Sequence, residues 1–80
     1  MIIYCFDINS KDKKRFNTIK RRFYYDLKKI KPLYGFFYSK SVICVEESRE
    51  TEFDLFFSKY KEYIVLFKGY LGFLQKIYGP

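Results

Sequence analysis

The sequence KDKKRFNTIKRRFYYDLKKIK, residues 11–31, combines a helical apolar pattern with most of the positive charge of this 80-residue chain. Its apolar side chains recur every three or four residues, which is the spacing of one face of an α-helix. They are Phe16, Ile19, Phe23, Leu27 and Ile30. The opposite face holds Lys11, Lys14, Arg15, Arg21, Arg22, Lys28 and Lys29, together with Thr18 and Tyr25. The stretch therefore predicts an amphipathic helix that packs on a sheet and turns its cations outward.

The positive charge of the chain is concentrated in this one segment. Residues 11–31 contain ten of the sixteen Lys and Arg residues and only two acids, Asp12 and Asp26, whereas the net charge of the chain is +7. The remainder is therefore close to neutral. A charge run is often only a solvated helix face, but seven cations on one face without an acid among them favour a polyanionic partner.

Composition narrows the classes of function. The chain has no His, which excludes Ser-His-Asp and Cys-His nucleophilic systems and His-ligated metal sites. Cys5 and Cys44 are too few for a secreted disulfide framework, so we expect a reducing, cytoplasmic location and assign the two thiols no role. No apolar run is long enough to span a bilayer, and we expect no membrane partner.

The order of the remaining patterns predicts the fold class. Short apolar runs at residues 2–6, 33–38, 41–47 and 64–67 are typical of strands, and residues 48–63 return to helical spacing. A tight turn near Ser39 and Lys40 would join the middle strands, and residues 70–78 are left open as a fifth strand or a short helix. We therefore predict one α+β domain over residues 1–80, a ferredoxin-like split β-α-β (βαββαβ) with an antiparallel sheet and two helices on one face. The uncovered face predicts a homodimer.

Two short motifs carry a resemblance to a known family. The first strand ends in Phe6-Asp7-Ile8, and residues 34–42 read YGFFYSKSV. With the basic helix between them, these motifs resemble the small CRISPR-associated adaptation protein that partners the spacer integrase. The resemblance implies a dimeric DNA-holding subunit of spacer acquisition with an integrase partner. It also implies that Asp7 faces its symmetry mate across the dimer and can hold a divalent ion.

The candidate site residues follow from charge and from this resemblance. We predict phosphate contacts from Lys14, Arg15, Arg21, Arg22, Lys28 and Lys29, and base or sugar stacking from Tyr25, which is equally well explained as a singly exposed aromatic. Asp7 is a candidate catalytic and Mg²⁺-binding residue, because a shared Mg²⁺ can activate water for phosphodiester hydrolysis. The simpler interpretation is that Asp7 shapes the turn after the strand.

Three functions remain open at this point. The first is nucleic-acid binding without sequence readout, with duplex DNA favoured over RNA. The second is a metal-dependent nuclease that uses Asp7. The third is a small virus- or plasmid-encoded inhibitor whose cationic helix occupies a site on another protein.

Overall fold

The structure is a computed structural model that describes residues 1–9, 13–30, 36–39 (backbone), 41–72, 75, 77 and 78. Four strands and two α-helices follow one another along the chain: β1 (Ile2–Ile8), α1 (Lys13–Lys29), β2 (Phe36–Ser39), β3 (Val42–Val45), α2 (Glu50–Ser58) and β4 (Ile64–Tyr70). A single 3₁₀ turn, Glu47–Arg49, leads into α2. The α+β class predicted from the sequence is confirmed.

The described strands form one antiparallel sheet with the order β2-β3-β1-β4. Strand β1 is central, with Ile3 opposite Cys44 on one side and Cys5 opposite Phe67 on the other. Its burial alternates as the pleat of a strand requires. Ile2, Tyr4 and Phe6 are buried on one face, and the intervening side chains belong to the other face.

Both helices cover the same face of the sheet. The ring of Phe6 lies 5.2 Å from that of Phe23 in α1 and 5.5 Å from that of Phe57 in α2. The buried core consists mainly of large rings, as expected from the ten Phe and nine Tyr residues of the chain. The apolar stripe predicted for the basic helix is confirmed at its centre, since Phe23 and Leu27 are fully buried and Ile19 and Ile30 are half-buried against the core.

The carboxyl end of α1 is stabilised by the side chain of Arg49, which lies in the 3₁₀ turn before α2. At this end of the helix, Ile30 N donates a hydrogen bond to Asp26 O at 3.2 Å. Arg49 then donates from Nη2 to the carbonyl oxygen of Ile30 at 2.9 Å. This bond satisfies one of the carbonyls that every helix leaves unpaired at its end.

Several element bounds differ from the prediction. Helix α2 ends at Ser58 instead of residue 63, because Lys59 and Tyr60 bond to carbonyls three residues back, which tightens the chain into turns. Strand β4 continues to Tyr70 because its pairing with β1 continues to Ile2. Gly69 therefore lies within the strand, where an added Cβ would come 3.2 Å from Ile3 Cγ2. The turn expected at residues 39 and 40 includes Lys40, which lies outside the described residues.

The second face of the sheet is not covered by either described helix. It includes Cys5 and Asp7 of β1 together with Val65 and Phe67 of β4. Val65 is 44% exposed and Phe67 is 69% exposed. We call this surface the open face.

Candidate nucleic-acid interface

Helix α1 presents its cations along one continuous rod. Its seventeen residues extend over about 26 Å at the usual helical rise. The predicted phosphate contacts on it are all exposed: Lys14, Arg15, Arg21, Arg22, Lys28 and Lys29. Lys13 and Lys20, which the prediction did not include, are also exposed in the same helix. Lys11 lies outside the described residues.

The one acid within α1 is turned away from this surface. Asp26 is half-buried and accepts a hydrogen bond from Tyr60 Oη, with 2.5 Å between that oxygen and Asp26 Oδ2. Burial of Tyr60 and this hydrogen bond raise the pKa of Tyr60 to about 12. The Asp26 carboxylate therefore points toward the turn that follows α2. Its negative charge does not lie among the cations on the outward face of α1.

The carboxylates of α2 form their ion pairs with cations that lie outside α1. Lys68 Nζ lies 2.5 Å from Glu50 Oε2 and 3.0 Å from Asp54 Oδ2, and Arg49 Nη2 lies 2.6 Å from Glu52 Oε1. Setting Lys14 aside, no cation of α1 forms an ion pair with a carboxylate that the structure describes. The cationic face is therefore not neutralised by acids from those parts of the fold.

Tyr25 lies among these cations and is 61% exposed. Lys29 Nζ lies 4.6 Å from the centroid of its ring, within the range of a cation–π contact. That contact orients the ring on the helix surface. Its predicted role in stacking on a base or sugar stays a prediction.

A groove of about 540 Å³ lies beside α1 and was not expected from the sequence. The described residues that line it are Asn17, Lys20, Arg21, Tyr24, Tyr25 and Lys28. Asn17, Lys20 and Tyr24 were missed because the helical pattern was divided only into a core face and an opposite face. The spacing of Asn17, Tyr24 and Lys28, seven and four residues apart, was the signal that could have identified this flank.

A smaller cavity of about 280 Å³ lies on the other flank of α1, toward α2. It is lined by Thr18, Ile19, Arg22, Lys59, Tyr60 and Tyr63. Lys59 follows α2 and adds a cation from outside the basic helix. No sequence pattern joins Lys59 to Arg22, because only the packing of the two helices brings them together.

Asp7 lies exposed near the end of β1, on the open face. It borders a small cavity of about 210 Å³ whose lining includes Cys5, Val65 and Phe67. Burial raises the pKa of Tyr24, and the negative charge of Asp7 adds to that rise. Within the described residues there is no group of three or more His, Cys, Asp or Glu side chains that could hold a metal ion. The catalytic and Mg²⁺-binding roles of Asp7 stay predictions.

The two cysteines are free thiols on neighbouring strands. Cys44 stands opposite Ile3, two residues from Cys5 along β1, so both belong to the same face of the sheet. Burial raises the pKa of the Cys44 thiol, and a charge on Cys5 would raise it further. Neither contributes to the cationic surface.

No helix in the described part of the chain is both long and apolar enough to cross a membrane. Comparisons of the chain with protein-family models, with curated proteins and with solved structures find no match.

Proposed function

We propose that this chain is a nucleic-acid-binding protein that holds duplex DNA along helix α1. The observation that carries the proposal is the segregation of charge. Eight cations lie within the seventeen residues of α1, and the single acid among them, Asp26, is hydrogen-bonded toward Tyr60. Solubility alone does not require such an arrangement, whereas phosphate backbones are held by rows of Lys and Arg.

The proposed contacts are to phosphates and do not distinguish one base sequence from another. Arg21 and Arg22 are central on the rod, and Lys28 and Lys29 lie in its last turn. Long, exposed cationic side chains on a rod of about 26 Å can follow a backbone over several phosphates. Binding should therefore be independent of sequence and weaken steeply with salt.

The finer fold that we propose is the ferredoxin-like split arrangement. The alternation of strands and helices, the strand order β2-β3-β1-β4 and the shared helix face support it. In that arrangement each helix connects two parallel strands that are separated by a third strand. The N-terminal and C-terminal halves of the domain would then be related βαβ units.

We further propose that the open face pairs with a second copy of the chain. Val65 and Phe67 leave apolar surface on a sheet that the described helices cover on one side only. A two-fold dimer would cover that face with the same surface of its partner. The proposed role in spacer acquisition and the proposed integrase partner are implied by the resemblance to the adaptation protein. The proposed cytoplasmic location is based on the low cysteine count.

The proposal is tested by charge reversal on the helix. The double variant Arg21→Glu, Arg22→Glu should lose retention of duplex DNA at low salt while its circular dichroism spectrum stays unchanged, because both side chains are exposed. For a matched comparison, Arg21→Glu and Lys61→Glu change the net charge equally, and Lys61 is exposed in the turn after α2. We expect about a tenfold loss of affinity for Arg21→Glu and a much smaller loss for Lys61→Glu.

Equal losses in the two single variants would mean that only the overall charge matters, and would contradict a site on α1. Retention of DNA by the folded double variant would do the same. Mg²⁺-dependent cleavage of the DNA that disappears in Asp7→Asn would instead support the nuclease. Failure of the wild-type protein to hold DNA would favour the inhibitor that binds another protein.

A further inference from the structure

The groove beside α1 lies on the flank that faces away from α2. Successive helical residues are about 100° apart, which places Tyr24 and Lys28 on the side of the rod opposite Asp26. Asp26 contacts Tyr60, which directly follows α2. The groove therefore borders the cationic face without being part of the contact between the helices.

The described lining of the groove carries both cationic and aromatic side chains. Among the described residues, its lining combines three cations, two phenol rings and one amide, and includes no acid. All six of these described residues belong to α1, so they form one continuous flank of that helix. A simple anion would make no stacking contact with the rings, and an apolar ligand would leave the charges of Lys20, Arg21 and Lys28 without a partner.

The two rings differ in how they are held. Tyr24 is half-buried, with its ring 5.3 Å from that of Phe23 at 90° and 6.3 Å from that of Phe6. Tyr25 is 61% exposed, and the Lys29 ammonium lies against its ring. One ring is thus fixed by the core, while the other stands at the rim where a base can reach it.

We propose that this groove binds an unpaired nucleotide of the nucleic acid that α1 holds. The base stacks on the exposed ring of Tyr25, and the phosphate of the same nucleotide contacts Lys20. Arg21 and Lys28, which border the outward face, contact the phosphates at which the unpaired strand leaves the duplex. The Asn17 amide offers a neutral hydrogen-bonding group to the base. This inference rests on the proposed function, since the duplex lies on the outward face and the groove takes a nucleotide that leaves the duplex at an end or an overhang.

The experiment compares three short duplexes of the same sequence. One is blunt, one carries a single-stranded overhang of deoxyadenosines, and one carries an abasic overhang of the same length and charge. Stacking of a base on an aromatic side chain predicts about tenfold tighter binding of the deoxyadenosine overhang than of the abasic overhang. A 2-aminopurine placed in the overhang should also change its fluorescence on binding.

The variant Tyr25→Leu removes the ring without changing the charge. Tyr70→Leu is the matched control, because Tyr70 on β4 is 63% exposed and lines none of the groove. We expect the ratio of the two overhang affinities to fall close to one in Tyr25→Leu and to stay near the wild-type value in Tyr70→Leu.

Equal affinity of the wild-type protein for the two overhangs would overturn the inference while leaving duplex binding by α1 intact. A ratio that survives in Tyr25→Leu would place the base elsewhere and would also overturn it. Failure to bind any of the three duplexes would overturn the proposed function itself.

Discussion

At the scale of single residues, Arg49 shows that a cation of this chain can be wholly structural. Its guanidinium contacts the Ile30 carbonyl, the Glu52 carboxylate and the ring of Phe53 at once. Lysine lacks the planar fork that makes this possible. Arg49→Lys should therefore lower the free energy of unfolding by about 1–2 kcal/mol in urea titrations. DNA affinity should not change, and a fall in affinity without a fall in stability would assign Arg49 to the interface.

Tyr60 gives the fold a pH dependence at the alkaline end. Its pKa is raised to about 12 by burial and by the bond to Asp26, so the folded state holds this proton more tightly than the unfolded state. The resulting stability is complete below pH 10 and is lost as the pH rises through about 12, an effect of up to roughly 2–3 kcal/mol.

The measurement is the free energy of unfolding of the wild-type protein and of Tyr60→Phe across this pH range. The difference between them should be largest below pH 10 and should shrink toward pH 12. A difference that stays constant with pH would show that the hydroxyl proton of Tyr60 is not held in this way.

At the scale of elements, α1 depends on Phe23 for its position. The ring is fully buried and lies within about 5–6 Å of the rings of Phe6, Phe56 and Tyr60. A helix of this length is marginal in water unless its apolar face is packed. Phe23→Ala should lower the free energy of unfolding by about 3–5 kcal/mol.

Phe16→Ala is the control on the same helix, because Phe16 is half-buried and does not belong to the buried core cluster. Its cost in the same urea titrations should be less than half that of Phe23→Ala. Equal costs would mean that the core is not centred on Phe23.

The helices and strands could largely be predicted from the sequence, but the side-chain contacts between them could not. The spacing of Phe23 and Leu27 identified the buried face of α1, because periodicity reports the face that meets the core. The bond between Asp26 and Tyr60 joins residues 34 positions apart, and the bond from Arg49 to Ile30 joins residues 19 apart. Such pairs depend on how the helices pack, which no local pattern records. The cations of the candidate site could be predicted from the sequence, but the groove could not, because no local pattern records it.

At the scale of the whole molecule, the open face should bring two copies together. The chain has a mass of 9.9 kDa, so the proposed homodimer should elute from gel filtration at twice that mass. Phe67→Glu places a charge in the open face and should shift elution to the monomer, because burying an unpaired carboxylate is costly. Leu55→Glu, on α2 and 62% exposed, should leave elution unchanged. A monomeric wild-type protein would contradict the dimer but not the DNA contact.

The proposed DNA binding requires that the cations of α1 contact phosphates, and the salt dependence of duplex binding tests this most directly. The affinity for a short duplex is measured by fluorescence anisotropy over a range of salt concentrations. If about five phosphates are neutralised, log affinity should fall with log salt at a slope of roughly −4.5, and the slope should become shallower in Arg21→Glu. A slope near zero, or one that Arg21→Glu leaves unchanged, would contradict phosphate binding by α1.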